Sequence, residues 1–266
     1  MLEIRDLHVT FRDGGRLSGV EAVKGIDLAI ADGERLGLVG ESGSGKTVTA
    51  MALSGLLERS RVEIRGQVLL DGRDLVTCTR RELRTVHGKE IGVVFQEPLR
   101  SLNPLMRVGP QVEEALKIHT DKSPEERRAL ALEAMEQVGL PDPEITYRKY
   151  PHQLSGGQRQ RAVIASAMIT RPKLLICDEP TTALDVTVQK QILMLLRRLS
   201  EEYGVAILLI SHDMNVVRRL CEEVAVMYRG LIVERGLTEE IFRNPQDEYT
   251  KRLIAAIPTR KRHGRD

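Results

Sequence analysis

The run Gly40-Glu41-Ser42-Gly43-Ser44-Gly45-Lys46-Thr47 carries the most explicit chemistry in this chain. It fits G-x-x-x-x-G-K-[ST], a loop whose glycines let backbone N–H groups wrap a phosphate chain; its lysine reaches the outer phosphates and its hydroxyl is offered to Mg²⁺. The chemistry requires a strand before the loop and a helix after it, because the helix N-terminus adds fixed positive potential. A second run, Leu174-Leu175-Ile176-Cys177-Asp178-Glu179, is apolar and closes on two carboxylates. At the carboxyl end of a buried strand, Asp178 is suited to hold Mg²⁺, directly or through water, and Glu179 to polarise a water attacking a terminal phosphate. Taken alone, the pair is also an ordinary solvated strand end. In His152-Gln153-Leu154-Ser155-Gly156-Gly157-Gln158, Ser155 and the glycines open a helix. That N-terminus can receive a second anion, or be a plain N-cap.

The elements around these residues follow from hydrophobic period. Arg35 to Val39 reads as the strand before the loop and Lys46 to Leu57 as the helix after it. Leu2 to Phe11 and Ala22 to Ile30 read as antiparallel strands at one edge of the domain, and Arg61 to Leu70 as another strand ending at Asp71-Gly72. Ile91 to Phe95 is apolar throughout, as strands buried on both faces are. Between Pro98 and Tyr150 the character becomes helical, with runs Pro110 to His119 and Pro124 to Val138. From Gln158 onward the pattern alternates: helix to Ile169, strand Lys173 to Cys177, helix Val188 to Glu202, strand Val205 to Ile210, helix Asp213 to Leu220. That is the βα rhythm of a parallel sheet. The strand-like runs Val224 to Tyr228 and Leu231 to Glu234 follow, then a short helical piece and a basic tail.

Bulk properties exclude several classes. The 266 residues, 41% hydrophobic, can supply a sizeable core, and a net charge of +2 gives no field that would imply nucleic-acid binding. Cys78, Cys177 and Cys221 match no metal-ligand spacing and leave an odd thiol, which favours a reducing compartment. The N-terminal Met1 to Asp6 alternates charge with apolar residues, unlike a secretory segment. Apolar stretches fall short of the roughly 18 residues that span a membrane, so any membrane partner must be another subunit.

Leu154-Ser155-Gly156-Gly157-Gln158 is similar to the signature of ABC ATP-binding subunits. Gln96 resembles that family's Q-loop, Ala183-Leu184-Asp185 its D-loop, His212 its switch histidine and Phe11 the aromatic that stacks on adenine. Each has an ordinary reading alone: a turn glutamine, a helix cap, a satisfied histidine, a core phenylalanine. Together they stand in family order. The resemblance implies an α/β fold, a P-loop NTPase (RecA-like) core of mostly parallel strands with an N-terminal antiparallel edge and an inserted helical subdomain. Expected divisions are 1–97 and 159–236 for the core, 98–158 for the helical subdomain and 237–266 for a C-terminal helix and basic tail. ATP with Mg²⁺ is then the substrate. Glu179, His212 and Gln96 would be catalytic; Phe11, Gly40 to Thr47, Ser155, Gly156, Gly157, Gln158 and Asp185 would contact nucleotide; Thr47, Gln96 and Asp178 would face the metal.

The motifs Phe95-Gln96-Glu97-Pro98, Ser101-Leu102-Asn103-Pro104, Tyr150-Pro151-His152-Gln153 and Asp178 to Thr187 narrow the resemblance to the peptide/nickel importer group, as do Asn244-Pro245, Tyr249-Thr250 and Leu253. Glu97 stands where that group commonly has Asp, and the chain stops at Asp266 without a cysteine-rich iron–sulfur segment, which keeps nickel-type members beside the peptide ones. The resemblance implies two integral membrane permease subunits, a second related ATP-binding subunit in a heterodimer (a homodimer being the alternative), and indirectly an extracytoplasmic solute-binding protein. The chain would sit peripherally on the cytoplasmic face of the plasma membrane. The tail Arg260-Lys261-Arg262-His263-Gly264-Arg265 reads as a solvated end rather than a lipid contact. A soluble ABC module, such as a phosphonate-breakdown accessory, is the rival of a different class.

Overall fold

A computed structural model describes residues 1–12, 19–96, 101–182 and 184–257. Glu97-Pro98, Ala183 and the basic tail from Arg260 to Arg265 therefore lie outside the described residues. Leu2, Ile4, Leu7 and Val9 are buried along strand β1 (Leu2–Phe11), a period-two pattern with one slip. The slip is a bulge at Asp6, which adopts φ 46° and shifts the register to both neighbouring strands. The extra residue returns Leu7 and Val9 to the face used by Leu2 and Ile4. Opposite it, Gly66 leaves room: a Cβ there would stand 2.1 Å from the Asp6 carbonyl oxygen.

β1 pairs antiparallel with β2 (Glu21–Ile30) and β4 (Val62–Leu70), and β5 (Arg73–Asp74) extends β4, giving a four-stranded sheet ordered β2-β1-β4-β5. The second sheet has six strands. Parallel β9 (Glu223–Tyr228), β3 (Arg35–Val39), β8 (Ala206–Ser211), β7 (Leu174–Asp178) and β6 (Ile91–Val94) lie in that order, with β10 (Leu231–Leu237) antiparallel on the outside of β9. The N-terminal strands form the expected antiparallel edge as a sheet of their own, sharing a core with the parallel one. Alternation explains this. Leu36, Leu38, Leu174, Ile176, Leu208 and Ile210 share a core with Leu2, Ile4, Leu7, Val9, Ile26 and Val68 from the antiparallel sheet. The intervening Val39, Leu175, Cys177, Ile207, Leu209 and Val226 face a second core made with helices. Both faces being covered, these strands are almost wholly apolar.

The described helices are α1 (Lys46–Leu53), α2 (Arg80–Val86), α3 (Val108–Val112), α4 (Glu114–His119), α5 (Pro124–Gln137), α6 (Pro143–Arg148), α7 (Gly156–Met168), α8 (Val186–Tyr203), α9 (Met214–Leu220), α10 (Thr238–Arg243) and α11 (Glu248–Ala255), of which α1 and α2 pack in the first core. Ser123 and Glu126 make a reciprocal capping box at the start of α5, with Pro124 at its first position. The expected single helix Pro110 to His119 is two, meeting at a bend at Glu113. Gln111 accounts for the difference: its amide accepts from Asn103 N and donates to the Asn103, Met106 and Arg107 carbonyls, tying α3 to the preceding loop. The helix after the phosphate-type loop ends at Leu53, earlier than expected, where Ser54 turns its hydroxyl onto the Ala50 carbonyl. Helix α7 runs unbroken through residue 158 from the helical region onto the parallel sheet. All three cysteines are free and buried. Among the described residues, no helix is long and apolar enough to cross a membrane.

Candidate active site

The Gly40–Thr47 loop leaves β3 at Val39 and enters α1 at Lys46. Two glycines are required by contact. A Cβ on Gly40 would lie 2.1 Å from the Met227 carbonyl oxygen, and one on Gly45, at φ 111°, 2.5 Å from that of Ala22. The loop is braced from the β9–β10 turn, where Gly230 N donates to Ser44 O (2.9 Å), and from α11, where the Tyr249 hydroxyl accepts Glu41 N–H (2.8 Å). Ser44 and Lys46 are buried, whereas Glu41, Ser42, Gly43 and Thr47 face solvent. The Lys46 ammonium folds back on its own loop and donates to Gly40 O (2.7 Å), Glu41 O (2.8 Å) and Ser44 Oγ (3.4 Å). Burial pulls its pKa down, opposed by the carboxylates of Glu179, Asp178 and Glu41.

β7 delivers Asp178 and Glu179 to the same edge. Thr47 Oγ1 donates to Asp178 Oδ1 at 3.4 Å. Burial raises the Asp178 pKa, with Thr47 and Lys46 working the other way and Glu179 adding to the rise. Glu179 itself takes a left-handed backbone, φ 47°, which a side-chain-bearing residue adopts at a cost. Its N–H donates to Ile210 O (2.9 Å), locking the turn onto β8. Its carboxylate meets three partners: Gln96 Nε2 (2.9 Å) and Thr182 Oγ1 (2.8 Å) at Oε2, and His212 Nδ1 (2.9 Å) at Oε1. An ionised carboxylate only accepts, so His212 must carry its proton on Nδ1. Burial disfavours the Glu179 charge, but the His212 and Thr182 hydrogen bonds and the Lys46 charge outweigh it and hold the pKa below the usual carboxylate range.

The loop, Gln96, Asp178, Glu179 and His212 are thus brought together by β3, β6, β7 and β8, all at their carboxyl ends. Thr182 joins them; its only sequence signal was a hydroxyl three residues beyond the glutamate. Phe11 is 37% exposed at the end of β1 and so is not core. Its N–H donates to Val20 O (3.1 Å), two residues from the Ala22 carbonyl that abuts Gly45.

Among the described residues, Ser155 to Gln158 make no hydrogen bond to this cluster. Ser155 Oγ accepts from Gln158 N, and Gln158 Oε1 accepts in return from Ser155 N, a reciprocal capping box opening α7. Gln158 therefore spends its side-chain oxygen on its own helix, while the Gly156 and Gly157 N–H groups belong to the first turn, which no helix satisfies internally. Asp185 caps α8 through Thr187 N and Val188 N (3.0 and 2.9 Å). The two helix starts touch, since a Cβ on Gly157 would lie 2.8 Å from Val188 Cγ1. No hydrogen bond among the described residues joins Ser155–Gln158 to the Gly40–Thr47 loop. A cleft of about 740 Å³ runs from Thr47, Gln96 and Asp178 to exposed Leu56, Phe95 and Ile118, between the parallel sheet and the helical region.

Residues 23–182 match the family model described as ABC transporter. The chain is 46% identical over 267 residues to the oligopeptide transport ATP-binding protein OppD of Bacillus subtilis (strain 168), covering 100% of this chain and 74% of that protein. It is 45% identical over 260 residues to the dipeptide transport ATP-binding protein DppD of Lactococcus lactis subsp. cremoris (strain MG1363), covering 97% and 74%. Among solved structures, a dimeric ATP-binding cassette in a post-hydrolysis state bound to ADP and Pi superposes with a TM-score of 0.79 at 31% identity, over 90% of this chain and 99% of that one.

Proposed function

The chain belongs to the ABC transporter family, and on that premise we propose that it is the ATP-hydrolysing subunit of an importer that takes up peptides. What carries the reading is the convergence of a phosphate-shaped loop, two carboxylates, Gln96 and His212 at the carboxyl edge of one parallel sheet. ATP enters the loop, whose N–H groups and Lys46 receive its phosphates, and adenine stacks on Phe11. Thr47 and Asp178 present hard oxygens 3.4 Å apart, a set that suits Mg²⁺, and Gln96, whose amide nitrogen points to Glu179, keeps its oxygen for the same ion. When bound, Mg²⁺ neutralises charge on the phosphates. Glu179 takes the proton from the attacking water, with Gln96, Thr182 and His212 setting its orientation.

Ser155, Gly156, Gly157, Gln158 and Asp185 serve the nucleotide of a second, related ATP-binding subunit in a head-to-tail pair. Supporting this is that their helix start caps itself and shares no hydrogen bond with this chain's own loop, leaving the Gly156 and Gly157 N–H groups for a partner's phosphate. ATP binding closes the pair and hydrolysis reopens it, driving two permease subunits between two arrangements at the cytoplasmic face of the membrane. An extracytoplasmic binding protein supplies the solute.

Reconstitution with co-encoded permease and partner subunits in proteoliposomes tests this. ATP-dependent uptake of labelled di- and oligopeptides supports it; uptake of nickel alone, or an assembly with no membrane subunit, overturns it. Phe11→Ala should weaken ATP binding about 5- to 150-fold, the value of one base-stacking contact, while Phe11→Tyr changes little. Equilibrium nucleotide titration measures this, and an unchanged affinity in the alanine variant removes Phe11 from the site.

A further inference from the structure

We infer that Tyr249 is a positioning residue for the phosphate loop, through which the C-terminal helix α11 sets the affinity for ATP. This rests on the reading of Gly40–Thr47 as the ATP-binding loop. The contact spans 208 positions in sequence, from the Tyr249 hydroxyl to the Glu41 N–H. Glu41 begins the solvent-exposed half of the loop, the half with least packing to hold it. The Glu41 N–H shares a peptide plane with the Gly40 carbonyl, which accepts from the Lys46 ammonium (2.7 Å). A nucleotide that draws Lys46 toward its phosphates removes that donor from the carbonyl side. The Tyr249 bond on the N–H side is then the tie that keeps the Gly40–Glu41 peptide from rotating.

Tyr249 is built to hold still. It is 4% exposed, and its ring stacks on Tyr228, centroid to centroid 4.2 Å at 27°. Tyr228 ends β9 beside the turn whose Gly230 N–H braces Ser44, so one stack serves both braces. The start of α11 is pinned in turn. Asp247 Oδ1 accepts from Tyr249 N (2.8 Å) and Thr250 N (3.3 Å), and the Glu234 carboxylate on β10 accepts from Gln246 N (2.8 Å) and Asp247 N (3.1 Å). Burial raises the phenol's pKa, keeping a neutral oxygen against the amide at working pH. A displacement of α11 is therefore felt at the loop.

Tyr249→Phe keeps the ring, its burial and the stack and deletes only the acceptor. The expected result is an ATP dissociation constant raised about three- to tenfold in the full chain, the worth of one hydrogen bond. In the assembled transporter KM for ATP rises by a similar factor while kcat at saturating ATP moves less than twofold. Glu41→Pro deletes the donor instead, so its effect and that of Tyr249→Phe should not add. Unchanged affinity in Tyr249→Phe, additive effects, or a fall in kcat with KM constant would each overturn the inference; the phenylalanine variant decides alone if the proline variant does not fold. If the wild-type chain binds no ATP, the reading of the loop fails first and this inference with it.

Discussion

Glu179→Gln is expected to leave ATP bound nearly as tightly as before and to lower its hydrolysis by about 10²–10⁴-fold, the share of a positioned general base. The amide matches the carboxylate in size but cannot take a proton from water. It also cannot accept from three donors at once, so its nitrogen must face either His212 or the Gln96–Thr182 pair, and that hydrogen bonding is lost. Binding and chemistry separate because Glu179 touches no atom of the Gly40–Thr47 loop through a hydrogen bond, whereas Lys46 does so three times. Single-turnover hydrolysis in the assembled complex, beside nucleotide titration, checks both halves. A wild-type rate in the variant removes Glu179 from the role.

Lys46→Ala should act in the opposite manner, weakening ATP binding itself by roughly 10- to 150-fold, as befits the loss of a charged hydrogen-bond donor. The buried ammonium now satisfies two loop carbonyls, so its removal also changes the unliganded protein. Those carbonyls can turn to water, and the desolvation that depresses the lysine's pKa is relieved, which keeps the cost to folding small beside the cost to binding. Calorimetric titration with ATP, read with thermal unfolding of the free chain, separates the two. A lowered melting temperature with unchanged ATP affinity would make Lys46 a structural residue only.

Much of this was legible from local pattern. The phosphate-type loop, the apolar strands closing on Asp178-Glu179 and the capped start at Ser155 are short signals, complete within a few residues. What stayed hidden is non-local or brief. Helix α2 carries little sequence signal beyond the Thr79–Glu82 capping box, because seven residues barely show a helical period. The stacking of the N-terminal strands as a separate sheet depends on which face of β3, β7 and β8 they cover, and those strands are apolar on both. Tyr249 and Glu41 meet only once the whole chain is folded, so no spacing announces them. The hydroxyl of Thr182 is one of many near a turn until Glu179 is seen beneath it.

The crowding of Glu179 bears on how such a subunit idles. With Gln96 and Thr182 on one oxygen and His212 on the other, the carboxylate has little capacity left for the proton of an incoming water. On the proposed assignment, withdrawal of a donor would leave the base freer to take that proton. Gln96 lies just beyond β6, after Phe95, and lines the cleft beside the helical region, so on that assignment a shift of that region would loosen its hold on Glu179. On the proposed assignment, a resting subunit can keep its fuel loaded yet unspent, and futile consumption in the absence of cargo is limited by a hydrogen bond rather than by an empty site.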